Sequence, residues 1–357
     1  MNMIEIDGSF GEGGGQILRY ALALSTIIGE KIRIINIRAK RDNPGLQRQH
    51  LTVVKALEKI SRGHVEGAEI GSTEIIFEPR GIFGGEYVFD IGTAGSVTLL
   101  LQSVLPVLAF ADRPSILKVR GGTDVPWSPT YDYFNNVFIR FLNRLGYVVE
   151  LRLLRRGHYP RGGGEVVAEI KNNPRGFTSI QLVERGRIIE IRGNSHAVRL
   201  PRHIAERQAS AAYERLKSLG IDVVIKIDIE SYPPDKDPHY GPGSGIALWA
   251  ITENSILGSD SLGARDKRAE EVGEKAARTL FEDLSTGSAL DRHMSDMIIP
   301  YLIFSEGTSI VTGSMLTMHA YTVLEISKKM IPEARIEYDG TLNRPFKLII
   351  RGVSRIL

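Results

Sequence analysis

The sequence predicts an α/β (α+β) fold in which one supersecondary unit recurs and a second, smaller α/β domain is inserted. Three observations carry this. A strand, a glycine turn and an apolar helix follow one another near the N-terminus, again from residue 87, and a third time near the C-terminus. Between the second and third occurrences the chain changes character. It offers a charged helix stopped by Gly220, strands on either side, and a loop rich in Pro, Gly and Asp over 233–245. A length of 357 residues is also too great for one small core. The expected limits are a large domain of residues 1–180 and 279–357, and an inserted domain of residues 181–278.

In the first unit, Ile4-Glu5-Ile6-Asp7 alternates as a half-buried strand does. The loop Gly8 to Gly15 leads into an apolar helix from about Gln16 to Ile28, and Ile32 to Ile37 reads as a strand. A basic loop and Pro44-Gly45-Leu46 precede a helix over Arg48 to Ile60, where Leu51, Val54 and Leu57 recur at helical spacing. Strands are expected at Ala68 to Ile70 and Glu74 to Glu78. The second unit repeats the order: strand Tyr87 to Ile91, glycine turn Gly92 to Ser96, helix Val97 to Phe110, strand Ser115 to Val119, Gly121-Gly122-Thr123, and a helix from about Tyr131 to Leu145. The third echo is helix Met294 to Ile303, strand Ser309 to Val311, Gly313-Ser314 and helix Met315 to Lys329. The insert supplies strand Ile188 to Arg192, helix Pro201 to Leu219 and strand Val223 to Ile229.

Composition narrows the function. The chain is 42% hydrophobic and 24% charged, ordinary for a globular protein. Its apolar runs, such as Val97 to Phe110, are interrupted by Thr98, Gln102, Ser103 and Pro106 and fall short of the roughly 20 residues of a membrane span. No basic stretch followed by an apolar run opens the chain, so no secretory leader, no membrane partner and a cytoplasmic location are expected. The absence of cysteine excludes disulfides, thiolate zinc sites and thiol nucleophiles. A net charge of +3 does not by itself announce a nucleic-acid binder. The basic residues do cluster, however: Arg33, Arg38, Lys40, Arg41 and Arg48 in one region, and Arg152, Arg155, Arg156, His158 and Arg161 beside Tyr159 in another. A phosphate-bearing polymer would suit such clusters, but on charge alone a solvated face is the better reading.

The glycine loop Gly11-Glu12-Gly13-Gly14-Gly15-Gln16 stands between a strand and a helix, where backbone N–H groups approach a phosphate. It lacks the Lys-Ser/Thr of a P-loop and the usual dinucleotide spacing. Its polar decoration is more telling. Glu12 is suited to a Mg²⁺ ion, and Gln16 and Arg19 share a helix face. Arg38, Lys40, Arg41 and Arg48 offer guanidinium and ammonium groups to phosphate oxygens, with Gln49 and His50 at a helix N-terminus. His319 sits among Met315, Leu316, Val323 and Ile326, a context in which most histidines are structural. Asp296 is placed in sequence to orient a histidine as a carboxylate partner does.

Gly11-Glu-Gly-Gly-Gly-Gln-Ile-Leu-Arg19 and Arg38-Ala-Lys-Arg41-Asp-Asn-Pro-Gly-Leu-Gln-Arg-Gln49-His50-Leu resemble the RNA 3′-terminal phosphate cyclases, cyclase branch, in an archaeal-like form. Gly92-Thr-Ala-Gly-Ser96, Gly121-Gly-Thr-Asp124, His158-Tyr-Pro-Arg-Gly-Gly-Gly164 and Pro201-Arg-His-Ile-Ala-Glu-Arg207 extend the resemblance, in order, over nearly the whole chain. It implies a large domain of three repeated units, each a four-stranded sheet with two helices, and a small inserted α/β domain. It also implies ATP as a substrate, Mg²⁺ or Mn²⁺, and an RNA with a 3′-phosphate end as partner. A homodimer is a further possibility. The implied reaction runs through a covalent histidine–AMP adduct and an RNA adenylate to a 2′,3′-cyclic phosphate. By position, His319 matches the nucleophile and Glu12 the metal ligand. Gln16, Arg19, Arg38, Arg41, Gln49 and His50 match positions lining the nucleotide and phosphate site, and Gln102, Pro129, His293 and Asp296 match positions around the nucleotide. His293 stands where a Tyr is common and Met297 where a Gln is, which bears on nucleotide preference. Two other readings compete: a non-catalytic relative acting in ribosomal RNA processing, and an enolpyruvyl transferase on a similar repeated fold.

Overall fold

A computed structural model describes residues 3–353 of the chain. The first sheet is built from β1 (Ile4–Asp7), β2 (Ile32–Ile35), β3 (His64–Glu66) and β4 (Ile75–Glu78), with helices α1 (Gly15–Ile28) and α2 (Arg48–Ser61) between the strands. Its order is β1-β2-β4-β3, with β1 and β2 parallel and the other pairs antiparallel. The second contains β5 (Glu86–Asp90), β6 (Ser115–Gly121), β7 (Val149–Arg155) and β8 (Gly164–Ile170), in the order β5-β6-β8-β7 and with the same senses. Helix α3 (Val97–Leu108) joins its parallel pair; α4 (Tyr131–Tyr133), a π-helical turn (Phe134–Ile139) and α5 (Arg140–Arg144) follow β6. Short strands β9 (Phe177–Thr178) and β10 (Gln181–Leu182) come next.

A further four-stranded sheet is made of β11 (Ile188–Val198), β12 (Val224–Ser231), β13 (Gly243–Thr252) and β14 (Ile256–Leu262), in the order β12-β11-β13-β14. Helices α6 (Arg202–Ser218) and α7 (Ala269–Ser285) cover it, and it has its own core of Ile191, Leu216, Ile246, Leu248, Leu257, Val272 and Leu280. After α8 (Met294–Met297), α9 (Ile299–Ile303) and β15 (Ser305–Glu306), which pairs with β9, come β16 (Thr308–Gly313), α10 (Met318–Met330), β17 (Arg335–Asp339) and β18 (Phe346–Arg351). These strands close a sheet in the order β10-β16-β18-β17, with the first pair parallel and the rest antiparallel, as in the first two sheets.

The mixed sense explains the connections. Parallel neighbours need a crossover, which the helices supply, whereas β3–β4, β7–β8 and β17–β18 are antiparallel and need none. The loops that leave a parallel pair therefore emerge at one end of the sheet, where open α/β sheets bind ligands. Helix α1 is apolar nearly all round, with Gln16 through Ile27 buried, and so lies inside, packed on α2, α3 and α10. Helix α2 is one-sided and turns Val53, Val54, Ala56, Leu57 and Ile60 to the core.

Several expectations shift. Strand β2 ends at Ile35, because Asn36 and Arg38 take φ of 53° and 54° and leave the extended region. The strand expected at 68–70 lies instead at 64–66; Gly67, at φ 74°, ends it. The helix from 131 carries the π turn, that from 294 is broken after Met297 ahead of Pro300, and the last begins at Met318, where Thr317 Oγ1 accepts the Ala320 N–H at 3.0 Å. Residue 278 falls inside α7, and residue 181 begins β10 of the C-terminal sheet. No helix among the described residues is long and apolar enough to cross a membrane.

Candidate active site

The loop Gly8 to Gly14 leaves β1 at the carboxyl end of the first parallel pair. Gly11 and Gly13 adopt φ of 56° and 58°, which only glycine takes at low cost. The remaining glycines make room for neighbours: a Cβ on Gly14 would stand 2.9 Å from Arg41 Nη2, and one on Gly15 only 2.0 Å from His50 Nε2. Helix α1 starts at Gly15 with no side-chain cap, so its first N–H groups are open to an anion. Lys40 Nζ donates to the Gly11 carbonyl at 3.0 Å and ties the loop down.

Helix α10, at the end of the third parallel pair, brings His319 to this loop. Its Nε2 lies 3.0 Å from Glu12 Oε2, an oxygen that also faces Arg41 Nη2 at 3.6 Å. On the other side, His319 Nδ1 lies 3.9 Å from Asp296 Oδ2 on α8, beyond direct hydrogen-bond distance. Gln16 Nε2 joins both, donating to Asp296 Oδ2 and to the His319 carbonyl at 3.2 Å each. Burial pushes the Asp296 carboxyl above its ordinary range, with His319, His293 and Arg19 pulling the other way.

The supporting residues are mostly buried. Arg19, whose guanidinium burial lowers to about 10, lines a cavity of about 10 Å³ with Tyr20 and Gln102. Tyr20 donates to the Asp296 carbonyl at 3.2 Å and accepts from Gln102 Nε2 at 3.1 Å. His50 accepts the Gln47 N–H at Nδ1, which leaves the proton on Nε2, facing Gly15. Burial first, then Arg19 and Arg38, hold the His50 imidazole at about 3, so it is a neutral donor at neutral pH. Arg38 donates to the carbonyls of Asn43 and Gly45 and shapes the basic loop.

The structure thus joins Glu12, Gln16, Arg41, Asp296 and His319 directly, with Arg19, Arg38, His50 and Gln102 around them. Gln49, Pro129 and His293 are placed at one remove. Gln49 Oε1 accepts the Ser96 N–H at 3.2 Å, the Pro129 carbonyl accepts Thr98 Oγ1 at 2.8 Å, and His293 packs edge-on to Tyr133 with centroids 6.0 Å apart. Tyr20 is the residue that sequence reasoning missed; its place four residues after Gln16 on the same helix face was the available signal.

The arrangement offers donors to an anion and a carboxylate to a cation. It combines an uncapped helix start, neutral and cationic donors, and one half-exposed carboxylate on a loop. Part of the basic residues serve other ends. Arg33 is spent on Glu5 and Glu74 across the first sheet. Arg156 is buried against Asp124, Asp132 and Glu230, so it is lost to any phosphate polymer. His158 and His196 lie beside it with Nε2 atoms 3.0 Å apart, and with Asp124 they form a buried trio. Its carboxylate is already held by Arg156 Nη1 and Thr123 Oγ1.

The family model for RNA 3′-terminal phosphate cyclase matches residues 10–336. An RNA 3′-terminal phosphate cyclase of Ignicoccus hospitalis is 58% identical over 352 residues, covering 98% of this chain and 99% of the relative. One of Hyperthermus butylicus is 54% identical over 353 residues, covering 98% of each. Among solved structures, EPSP synthase from Acinetobacter baumannii aligns at 11% identity with a TM-score of 0.26, over 94% of this chain and 80% of that one, a likeness too low to carry weight. With a matched span that takes in the glycine loop, Asp296 and His319, the chain belongs to the RNA 3′-terminal phosphate cyclase family.

Proposed function

We propose that this protein uses ATP to convert an RNA 3′-terminal phosphate into a 2′,3′-cyclic phosphodiester, with His319 as the nucleophile. The observation that carries the reading is the meeting of His319 and Glu12, 307 residues apart, over an uncapped helix start. In the first step a His319 nitrogen attacks the α-phosphorus of ATP. An N–P bond forms, the bond to the β-phosphate oxygen breaks, and pyrophosphate leaves. An oxygen of the RNA 3′-phosphate then attacks the same phosphorus, the N–P bond breaks and the imidazole is restored. Finally the adjacent ribose 2′-OH attacks the 3′-phosphorus, loses its proton, and AMP departs.

The side chains suit these steps. Nε2 is the atom facing the loop, and it needs its lone pair; the proton then belongs on Nδ1, on the side of Asp296. Glu12 faces Nε2 at 3.0 Å and must release it, which fits a carboxylate whose task is to bind Mg²⁺ or Mn²⁺. That ion would neutralise phosphate charge. Arg41, Arg19, Arg38, Gln16 and the Nε2–H of His50 supply further donors around the phosphates. Gln49, Gln102, Pro129 and His293 would border the nucleotide. We read the three like sheets as copies of one unit in a catalytic domain, expected at residues 1–180 and 279–357. The insert, expected at 181–278, would instead begin after β10 and run to the end of α7.

The test is incubation with α-labelled ATP and Mg²⁺ without RNA. Acid-labile, alkali-stable label should remain on the protein and vanish in His319→Ala; Arg41→Ala should label poorly. An unlabelled wild-type protein under either metal would leave the non-catalytic reading standing. Label surviving in His319→Ala would move the nucleophile elsewhere.

A further inference from the structure

The three loops at the carboxyl end of the second sheet form a continuous surface beginning at the candidate site. Gln49 accepts the Ser96 N–H, and Gly92 packs beside Arg48, a methyl at its Cα falling 3.9 Å from Nη1. The loop Gly92 to Ser96 in turn touches the turn at 158–162. A Cβ on Gly162 would lie 2.9 Å from Ala94 Cα and from the Thr93 carbonyl, so no larger residue fits there. That turn is closed by the Gly162 N–H to the His158 carbonyl at 2.7 Å, and it holds Tyr159 and Arg161 exposed at its tip. The third loop is bridged to the same turn through Asp124 and His158 and carries Trp127. From there the insert continues the surface: the Tyr240 ring covers Gly163 and lies 4.0 Å beneath the Arg155 guanidinium.

Three aromatic rings are exposed along this path: Trp127 at 96%, Tyr159 at 71% and Tyr240 at 56%. Such rings are costly to leave bare, and Trp127 is held out on a backbone at φ 62°, a conformation that non-glycine residues keep only where the surroundings impose it. The charged residues between them favour an anion. Arg48 and Arg161 are exposed, while the bordering carboxylates are engaged: Asp90 by the Gly92 N–H, Asp237 by the Arg199 and His239 N–H groups, and Glu165 by Lys118 and Arg120. Exposed aromatics alternating with arginines along a groove are the means by which proteins hold single strands without reading sequence.

We propose that the RNA strand leading to the 3′-phosphate runs over this surface, its bases stacking on Trp127 and Tyr159, and its backbone paired with Arg48 and Arg161 on the way to His319. The proposal rests on the reading of the site given above. It is tested with 3′-phosphorylated RNAs of about three and about twelve nucleotides, by fluorescence anisotropy at several salt concentrations. Trp127→Ala and Tyr159→Ala should each weaken the longer RNA roughly tenfold and the shorter one less. Arg161→Ala should flatten the salt dependence by about one phosphate contact. Labelling by ATP in the absence of RNA reports on the catalytic reading alone, since the strand takes no part in that step. Wild-type affinity in all three variants, with labelling intact, would overturn the track and leave the catalytic reading in place. Loss of a dimer in Trp127→Ala by light scattering, with RNA affinity unchanged, would make the patch a subunit contact and overturn it as well.

Discussion

Replacing Arg156 by Met should be the most damaging single change outside the candidate site. The Arg156 side chain is 1% exposed and makes five hydrogen bonds. Nη1 reaches both oxygens of Asp124 at 3.2 Å, Nη2 reaches Asp132 and Glu230 at 2.7 and 2.6 Å, and Nε reaches Glu230 at 3.0 Å. These carboxylates come from the loop after β6, from α4 and from β12, so the arginine clamps the second sheet to the sheet of β11 to β14. Removing one partner of a buried pair costs roughly 3–5 kcal/mol. Glu230 gives a second measure. Burial would raise its carboxyl, yet Arg156 holds it at about 2 against an ordinary 4.5, which corresponds to roughly 3 kcal/mol at neutral pH. A loss of that size lowers the melting temperature by on the order of 10 °C. The sign with pH follows from the depressed value: the contribution is complete above about 4.5 and disappears as the pH falls toward 2. The deficit of Arg156→Met should therefore be largest at pH 7 and shrink in acid, Asp132 taking up a proton first because burial already pushes its carboxyl upward against the pull of Arg156. Urea unfolding of both proteins across pH 3–7 measures this difference, with effects common to the two cancelling. A deficit under about 1 kcal/mol at pH 7, or one constant with pH, would refute the clamp.

Gly15→Ala should abolish adenylylation and cost roughly 1–3 kcal/mol, because its methyl would stand 2.0 Å from His50 Nε2; Gly29→Ala, which meets no neighbour but is strained by its φ of 75°, should cost about 1 kcal/mol and still keep full labelling. Tyr20→Phe should destabilise by about 1–2 kcal/mol in chemical denaturation, since the buried Gln102 amide and Asp296 carbonyl each lose their tyrosine partner. His50, at about 3 in the fold against 6.5 unfolded, makes the folded state lose stability as pH falls from 6.5 toward 3, because the unfolded chain takes up the proton first. His50→Gln should remove that slope and gain roughly 2–3 kcal/mol on the native protein at pH 4.5, and an unchanged pH profile would show that the imidazole is not buried as described.

Elements were legible where a periodic pattern met a glycine. Helix α2 could be read from Leu51, Val54 and Leu57, and the strand–turn–helix order repeated three times. The sheet partners could not. Strand β13 runs through Ile246, Ala247, Leu248, Trp249 and Ala250 with every one buried, so no alternation marks it as a strand. Arg156 was misread for a related reason. The register of β7 against β8 shifts between Leu153 and Arg155, and an extra residue in one strand reverses which side chains point inward. A charge cluster that looked outward from the sequence thus has its central arginine turned in, toward carboxylates 24, 32 and 74 residues away.

The same limit, and the way past it, shows in the two site histidines. His50 is the third residue of α2 and His319 the second of α10, each in the helix that follows a parallel pair in its own sheet. Sequence alone gives them nearly equivalent places in two like units. What separates them is environment. His50 has Nδ1 tied to the Gln47 N–H, its ring is pressed against Gly15, and two arginines and burial hold it neutral, which makes it a fixed donor. The His319 side chain is 48% exposed, with a carboxylate at each ring nitrogen, at 3.0 and 3.9 Å. A nucleophile needs access to substrate, a lone pair directed outward and a group to steady the opposite proton. On the proposed reading the second histidine supplies the access and, once Glu12 releases Nε2, the lone pair, with Asp296 on the side of the opposite proton; α8 and the Glu12 loop that flank it come from opposite ends of the chain.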